Sequence, residues 1–400
     1  MFSRLATLTG ILSAFLGLLI VVKRINRAIW TLQLVLNEFS LGVVLLGMVS
    51  TWRSHSGLGK VAGLTGALLA AVPFSRVKEA RSDMEQAMRA GLGKNYDAQI
   101  PSVMRDRLTP HKWSLKNTLG ASYRENNVSI IHDVPYHETS ARTLKADIYR
   151  PLVPPVQGDR YPVIIAFHGG GWNHGDKGEY FSGHHCYLAT QGYVVVDVQY
   201  RFTIGPDNVK WPAQLDDVRA AIRWVKSQAD VYNIDRERVA LLGRSAGGHI
   251  ALNAAYRANG DFADTAVQAV VAYYAPIDLF LVGKRHDHRV LGLLGGETSY
   301  ENPEIYADAS PLEFADENVP PTLLLHGYSD ALVSPVHAEL LLNRLRRYDV
   351  PVAVLRVPWG RHGFDFSLAG LGAQLTQYHL DRFLAWALTR EAIVKETTQD

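Results

Sequence analysis

Two hydrophobic patterns divide the chain near residue 75. Before that point the apolar stretches are long: 5–22 carries no charge, and further stretches run over 29–51 and 61–74. After residue 128 they shorten and recur at 128–133, 144–149, 163–167, 194–198, 239–242, 268–273, 322–325 and 352–357. Most of the later runs alternate with helical spacing; over 216–228, for instance, Val218, Ile222 and Val225 fall on one face. Short continuous apolar runs separated by helices predict strands buried on both faces of a mainly parallel sheet. The expected fold class is α/β, with eight strands and helices on both faces. Residues 279–311 are glycine-rich without a strand pattern and read as an excursion near a pocket.

The first pattern belongs to lipid. An uncharged stretch over 5–22 meets the lower limit for crossing the roughly 30 Å hydrocarbon layer. The second stretch holds Asn37 and Glu38, and a carboxylate inside lipid costs about 2.5 kcal/mol or more. The third is rich in Ala62, Gly63, Gly66, Ala67, Ala70 and Ala71, small residues that let helices pack closely in a bilayer. A cleaved leader fits less well, because Ala-x-Ala is absent near Val22. The predicted organisation is three transmembrane helices over 1–75, a polar connector over 76–127, and the α/β domain over 128–400. A single anchor, an interfacial hairpin or a cap over the pocket stays open.

With three crossings, Lys23, Arg24 and Arg27 share a side with Arg76, Lys78 and Arg81, opposite Arg53 and Lys60. Positive-inside reasoning then places the α/β domain on the cytoplasmic face of a multi-pass protein, and two crossings would reverse it.

Candidate chemistry sits at the carboxyl ends of the strand-like runs, where such sheets bind ligands. Gly243-Arg244-Ser245-Ala246-Gly247 lies between an apolar run and a helical one, the strand–turn–helix setting of a nucleophile elbow. A serine hydroxyl needs a base, a group to orient that base, and donors for an oxyanion. Asp330 and His362 follow later runs, in the order Ser, Asp, His. His168-Gly169-Gly170-Gly171-Trp172 offers bare backbone N–H groups upstream, and the N–H of Ala246 would complete the hole.

Over 128–389 the chain resembles an α/β-hydrolase of the carboxylesterase group related to hormone-sensitive lipase and small bacterial feruloyl-esterase-like enzymes. The resemblance rests on His168-Gly-Gly-Gly-Trp172, Asp197-Val-Gln-Tyr-Arg201, Gln214-Leu-Asp-Asp-Val218, Gly243-Arg-Ser-Ala-Gly-Gly-His249, His326-Gly-x-x-Asp330 and His362-Gly-Phe364. It implies Ser245, Asp330 and His362 as the catalytic residues, with Gly170, Gly171 and Ala246 as the oxyanion site. One departure is Ala331-Leu332-Val333-Ser334-Pro335, where relatives more often place Val and Pro side by side; it affects a turn.

Several residues have plainer readings. Trp172, Tyr200 and Tyr274 line the pocket or are ordinary core aromatics. His168 reads as a scaffold for its loop, and Asp216 and Asp217 as groups serving a helix N-terminus. His184-His185 and His286-Asp287-His288 read as solvated loop histidines, not metal ligands. Lys plus Arg number 41 against 39 for Asp plus Glu, so no basic excess points to nucleic acid. Cys186 is the one cysteine, which excludes an intrachain disulfide.

The function these features predict is a membrane-anchored serine carboxylesterase without cofactor or metal. It would act on a small-molecule or lipid-derived ester and contact the bilayer through 1–75. An acyltransferase or serine peptidase on the same fold stays open, as does a non-catalytic scaffold. The oligomeric state is left open.

Overall fold

A computed structural model describes residues 2–22, 27–108, 113–118, 128–155, 160–283 and 287–389. Lys23, Arg24, His286 and the side chain of Arg27 lie outside the described residues. Each of the eight expected runs forms a strand: β1 (Val128–Glu138), β2 (Thr143–Pro151), β3 (Tyr161–Phe167), β4 (Val194–Val198), β5 (Ile234–Arg244), β6 (Ala269–Tyr273), β7 (Thr322–Gly327) and β8 (Val352–Val357). They form one mixed sheet ordered β1-β2-β4-β3-β5-β6-β7-β8. The two pairings that involve β2 are antiparallel, and from β4 onward all neighbours are parallel.

Alternate side chains of the strands feed two cores. Val163, Ile165 and Phe167 join Leu215, Val218, Ile222 and Val225 of the helix Ala213–Ser227 on one face. Ile164 and Ala166 face the helices Ser182–Thr190 and Leu371–Ala387 on the other. The stretch expected to be a connector belongs to this second core. Its helix Val77–Leu92 buries Ala80, Met84, Met88 and Leu92, a four-residue stripe that seals one helix face.

Among the described residues, α1 (Phe2–Val21), α2 (Arg27–Glu38), α3 (Ser40–Arg53), α4 (Gly57–Ala70) and a single turn over Val72–Ser75 precede this domain. Only the segment Ser3–Val21 is long and apolar enough on its own to cross a membrane, among the described residues. The expected second span is not continuous, because Ile29–Glu38 and Ser40–Arg53 meet at 81°. The polar residues explain the break. Glu38 points away from the bundle, is buried against the α/β domain and accepts the Gly372 N–H at 2.7 Å.

Helices α1, α3 and α4 pack together through small residues. Gly10, Ser13, Gly17, Gly47, Ser50, Gly59, Gly63, Gly66 and Ala67 are buried, while Leu8, Phe15, Met48, Trp52, Val61 and Leu68 each expose more than half their surface. Small side chains inside and large apolar ones outside invert the pattern of a water-soluble bundle. The approach is close: a Cβ at Gly66 would stand 2.4 Å from backbone and side-chain atoms of Ser13. Replacing Gly66 by Leu should therefore destabilise the detergent-solubilised full chain by about 1–3 kcal/mol. Leu64→Met on the outward face should change it by less than about 0.5 kcal/mol; thermal unfolding in one detergent compares the two.

Candidate active site

Ser245 follows the last residue of β5 and precedes the helix Ala246–Tyr256. Its φ of 53° is positive, a conformation that a non-glycine residue adopts at a cost and that surrounding structure must enforce. The flanking glycine permits it: a Cβ on Gly247 would sit 2.3 Å from the Phe167 carbonyl oxygen. The Ser245 N–H donates to the Tyr273 carbonyl at 2.9 Å, which ties the turn to β6.

His362 lies in the loop between β8 and the helix Leu371–Ala387. Its Nε2 is 2.9 Å from Ser245 Oγ, and its Nδ1 is 2.7 Å from Asp330 Oδ2. An ionised carboxylate only accepts, so Nδ1 carries the proton and Nε2 is free to accept from the serine hydroxyl. Asp330 sits in the turn after β7. Its Oδ1 accepts the N–H groups of Leu332 and Val333 at 2.8 and 3.0 Å, so the unusual turn sequence contributes two donors. His326 Nε2 lies 3.5 Å from Oδ2. Burial alone would raise the Asp330 pKa. The electrostatic pull of the neighbouring His362, together with hydrogen bonds from His326 and His362, overrides it and holds the carboxyl well below the usual range.

Gly170, Gly171 and Trp172 all have positive φ, at 121°, 59° and 61°, so the loop after β3 turns sharply towards the serine. Gly171, Trp172, Ser245 and Ala246 border one cleft with Pro276, Val282, Asp287, Arg289, Val290, Leu332 and Val333. Its volume is about 20 Å³, room for little more than one water molecule. Gly170 is not among the residues lining it; its carbonyl accepts from Asn173 and His174 at 3.2 Å. Ala246 opens a helix, where backbone N–H groups lack intrahelical partners and favour negative charge.

Residues 146–345 match the BD-FAE family model, half of the chain. The chain belongs to the BD-FAE family. It is 33% identical to the esterase LipC of Mycobacterium tuberculosis over 217 residues, 51% of this chain and 53% of that protein. To the esterase LipQ of the same organism it is 29% identical over 246 residues, 59% and 57% of the respective lengths. The matched part thus spans little more than half of these curated relatives. Among solved structures, the thermophilic esterase Est2 of Thermogutta terrifontis with propionate bound is 25% identical at a TM-score of 0.52. That likeness covers 65% of this chain and 94% of the other.

Within this BD-FAE fold, Tyr200 and Tyr274, read as pocket or core aromatics, are buried and do not border the cleft, whereas Trp172 does. Tyr200 stacks on His168 with centroids 4.4 Å apart, and its hydroxyl donates to the His168 carbonyl at 3.0 Å. The ring of Tyr274 lies 4.5 Å from that of His362, and its hydroxyl donates to Asp365 at 2.7 Å. Asp217, expected to serve a helix end, instead accepts from the Arg201 N–H and forms a 2.7 Å ion pair with its guanidinium. His184 and His185, expected in a solvated loop, are buried in a helix, with His185 3.3 Å from Asp197. Sequence reading missed the pair between Arg244 and Asp365, which meet at 2.7 Å in full burial. That pair ties the residue before Ser245 to the His362 loop.

His249 supports the glycine loop from below. Its Nδ1 accepts from Trp172 Nε1 at 3.3 Å and its Nε2 donates to the Ala309 carbonyl at 2.6 Å. Burial outweighs the hydrogen bond to Ala309 and lowers its pKa from 6.5 to about 4. A depressed folded value means that this contribution to stability is present above pH 6.5 and is lost as pH falls through 4. Unfolding measured between pH 7 and 4 should show a loss of up to about 3 kcal/mol from this group. The slope should flatten in His249→Gln.

Proposed function

We propose that this chain is a membrane-anchored serine carboxylesterase. The reading is supported above all by His362, whose two ring nitrogens lie within hydrogen-bonding reach of Ser245 and Asp330. Ser245 Oγ attacks the ester carbonyl carbon as His362 Nε2 takes its proton, and Asp330 stabilises the resulting imidazolium. The oxyanion is received by backbone N–H groups of Ala246 and Gly171, which border the cleft; one such donor is worth roughly 3 kcal/mol. Collapse breaks the ester C–O bond, and the imidazolium returns its proton to the departing alkoxide. Water then attacks the acyl-serine with His362 again as base, which releases the acid and restores the hydroxyl.

In the same reading, α1 crosses the bilayer, the shorter α3 and α4 pack against it within the apolar layer, and α2 stays at the junction with the α/β domain. The outward apolar side chains of the bundle support this. The basic residues 23, 24, 27, 76, 78 and 81 support a cytoplasmic domain in this reading, by the positive-inside rule. The narrow cleft favours a short acyl group, on a small-molecule or lipid-derived ester.

Turnover of p-nitrophenyl esters by the full chain in detergent tests the chemistry. Ser245→Ala should lose at least about a thousandfold in kcat, and unchanged turnover would contradict the mechanism. Acetate should exceed octanoate by about tenfold in kcat/KM, a step of roughly 1.4 kcal/mol. Equal rates would place the acyl chain outside this cleft.

A further inference from the structure

The residue beside His362 reaches towards the N-terminal helices. Arg361 is 1% exposed, and its Nη2 donates to the carbonyls of Val22 at 2.6 Å and Leu19 at 3.4 Å. Those carbonyls sit at the C-terminal end of α1, where backbone acceptors lack intrahelical partners and the helix dipole is negative. Among the described residues, Arg361 Nε and Nη1 have no hydrogen-bond partner. The end of α1 is therefore what offsets the burial of this cation; taking it away would strand an uncompensated charge.

The rest of the loop meets the same helices. Gln33 Nε2 donates to the same Leu19 carbonyl at 3.1 Å. Leu34 of α2 lies 3.7 Å from where a Cβ on Gly363 would stand. Phe39 meets Phe366 edge-on at 6.1 Å. Gly370 gives the helix Leu371–Ala387 no side-chain cap, and Glu38 supplies the acceptor from outside, at Gly372. On its inner side the loop is held by Asp365 against Arg244.

We infer that Arg361 is a positioning residue for the ester hydrolysis proposed above, and that the end of α1 thereby sets the placement of His362. The N-terminal bundle is then part of the active-site scaffold and more than a tether. Arg361 touches neither the cleft nor the reacting atoms, so its loss acts on the chemical step and leaves substrate binding in place.

The test uses the full chain in phosphatidylcholine nanodiscs, with p-nitrophenyl butyrate as substrate and thermal unfolding read in parallel. Arg361→Met should lower kcat by tenfold or more while KM stays within twofold. Arg361→Lys, whose ammonium still reaches the α1 carbonyls, should recover part of that loss. Should Arg361→Met not fold, the comparison rests on Arg361→Lys: reduced kcat at unchanged KM and unfolding temperature supports the role, and wild-type kcat overturns it. Wild-type turnover that depends on Ser245, with kcat unchanged in Arg361→Met, overturns this inference alone. A wild type without Ser245-dependent turnover overturns the esterase reading and this inference with it.

Discussion

A single imidazole has to face two ways at once. His362 accepts from Ser245 through one nitrogen only while the other is fixed on Asp330, and an error of about 1 Å at such a site can cost a hundredfold in rate. Much of the surrounding structure bears on that placement. Tyr274 backs the ring. The turn at Leu332 and Val333 pins the carboxylate through its other oxygen. Arg244 and Asp365 join the serine turn to the histidine loop through a buried pair, and breaking one partner of such a pair typically costs 3–5 kcal/mol. The parallel sheet brings β5, β7 and β8 to the same edge, so three distant segments deliver their groups to one place.

The N-terminal helices solve a different problem with opposite chemistry. In the α/β domain large apolar side chains are inside; in the bundle glycine, alanine and serine line much of the contact between helices and many of the large apolar side chains face out. The two regimes meet at a polar junction built from Gln33, Glu38 and Arg361. Each of these groups is costly in lipid and bonds to a helix end: Gln33 and Arg361 to the carbonyls closing α1, Glu38 to the N–H groups opening the last helix. The junction therefore lets an apolar bundle sit directly against the α/β domain.

Much of this was legible in the sequence. Eight short apolar runs marked eight strands, because strands buried on both faces leave an unbroken signal. The glycines around Ser245 and the order of Asp330 and His362 pointed to one site before any geometry was known. What escaped reading shares one cause: tertiary partners leave no local period. The stripe Ala80, Met84, Met88 and Leu92 was present at helical spacing, but the charges between its members made the segment look like a connector. Glu38 was visible as an anomaly in an apolar stretch, and nothing local could say that Gly372 receives it. Tyr200 and Tyr274 were singled out as aromatics near motifs; only packing distinguishes a residue behind a loop from one in front of it.

The claim at the centre is that Asp330 and His362 make the Ser245 hydroxyl uniquely nucleophilic. Covalent labelling of the full chain with a fluorophosphonate, followed by peptide mass spectrometry, measures this directly. One adduct per chain on the peptide carrying Ser245, strongly reduced in both His362→Ala and Asp330→Asn, is the expected result. Labelling that spreads over other serines, or that proceeds at the wild-type rate without the imidazole, would contradict it.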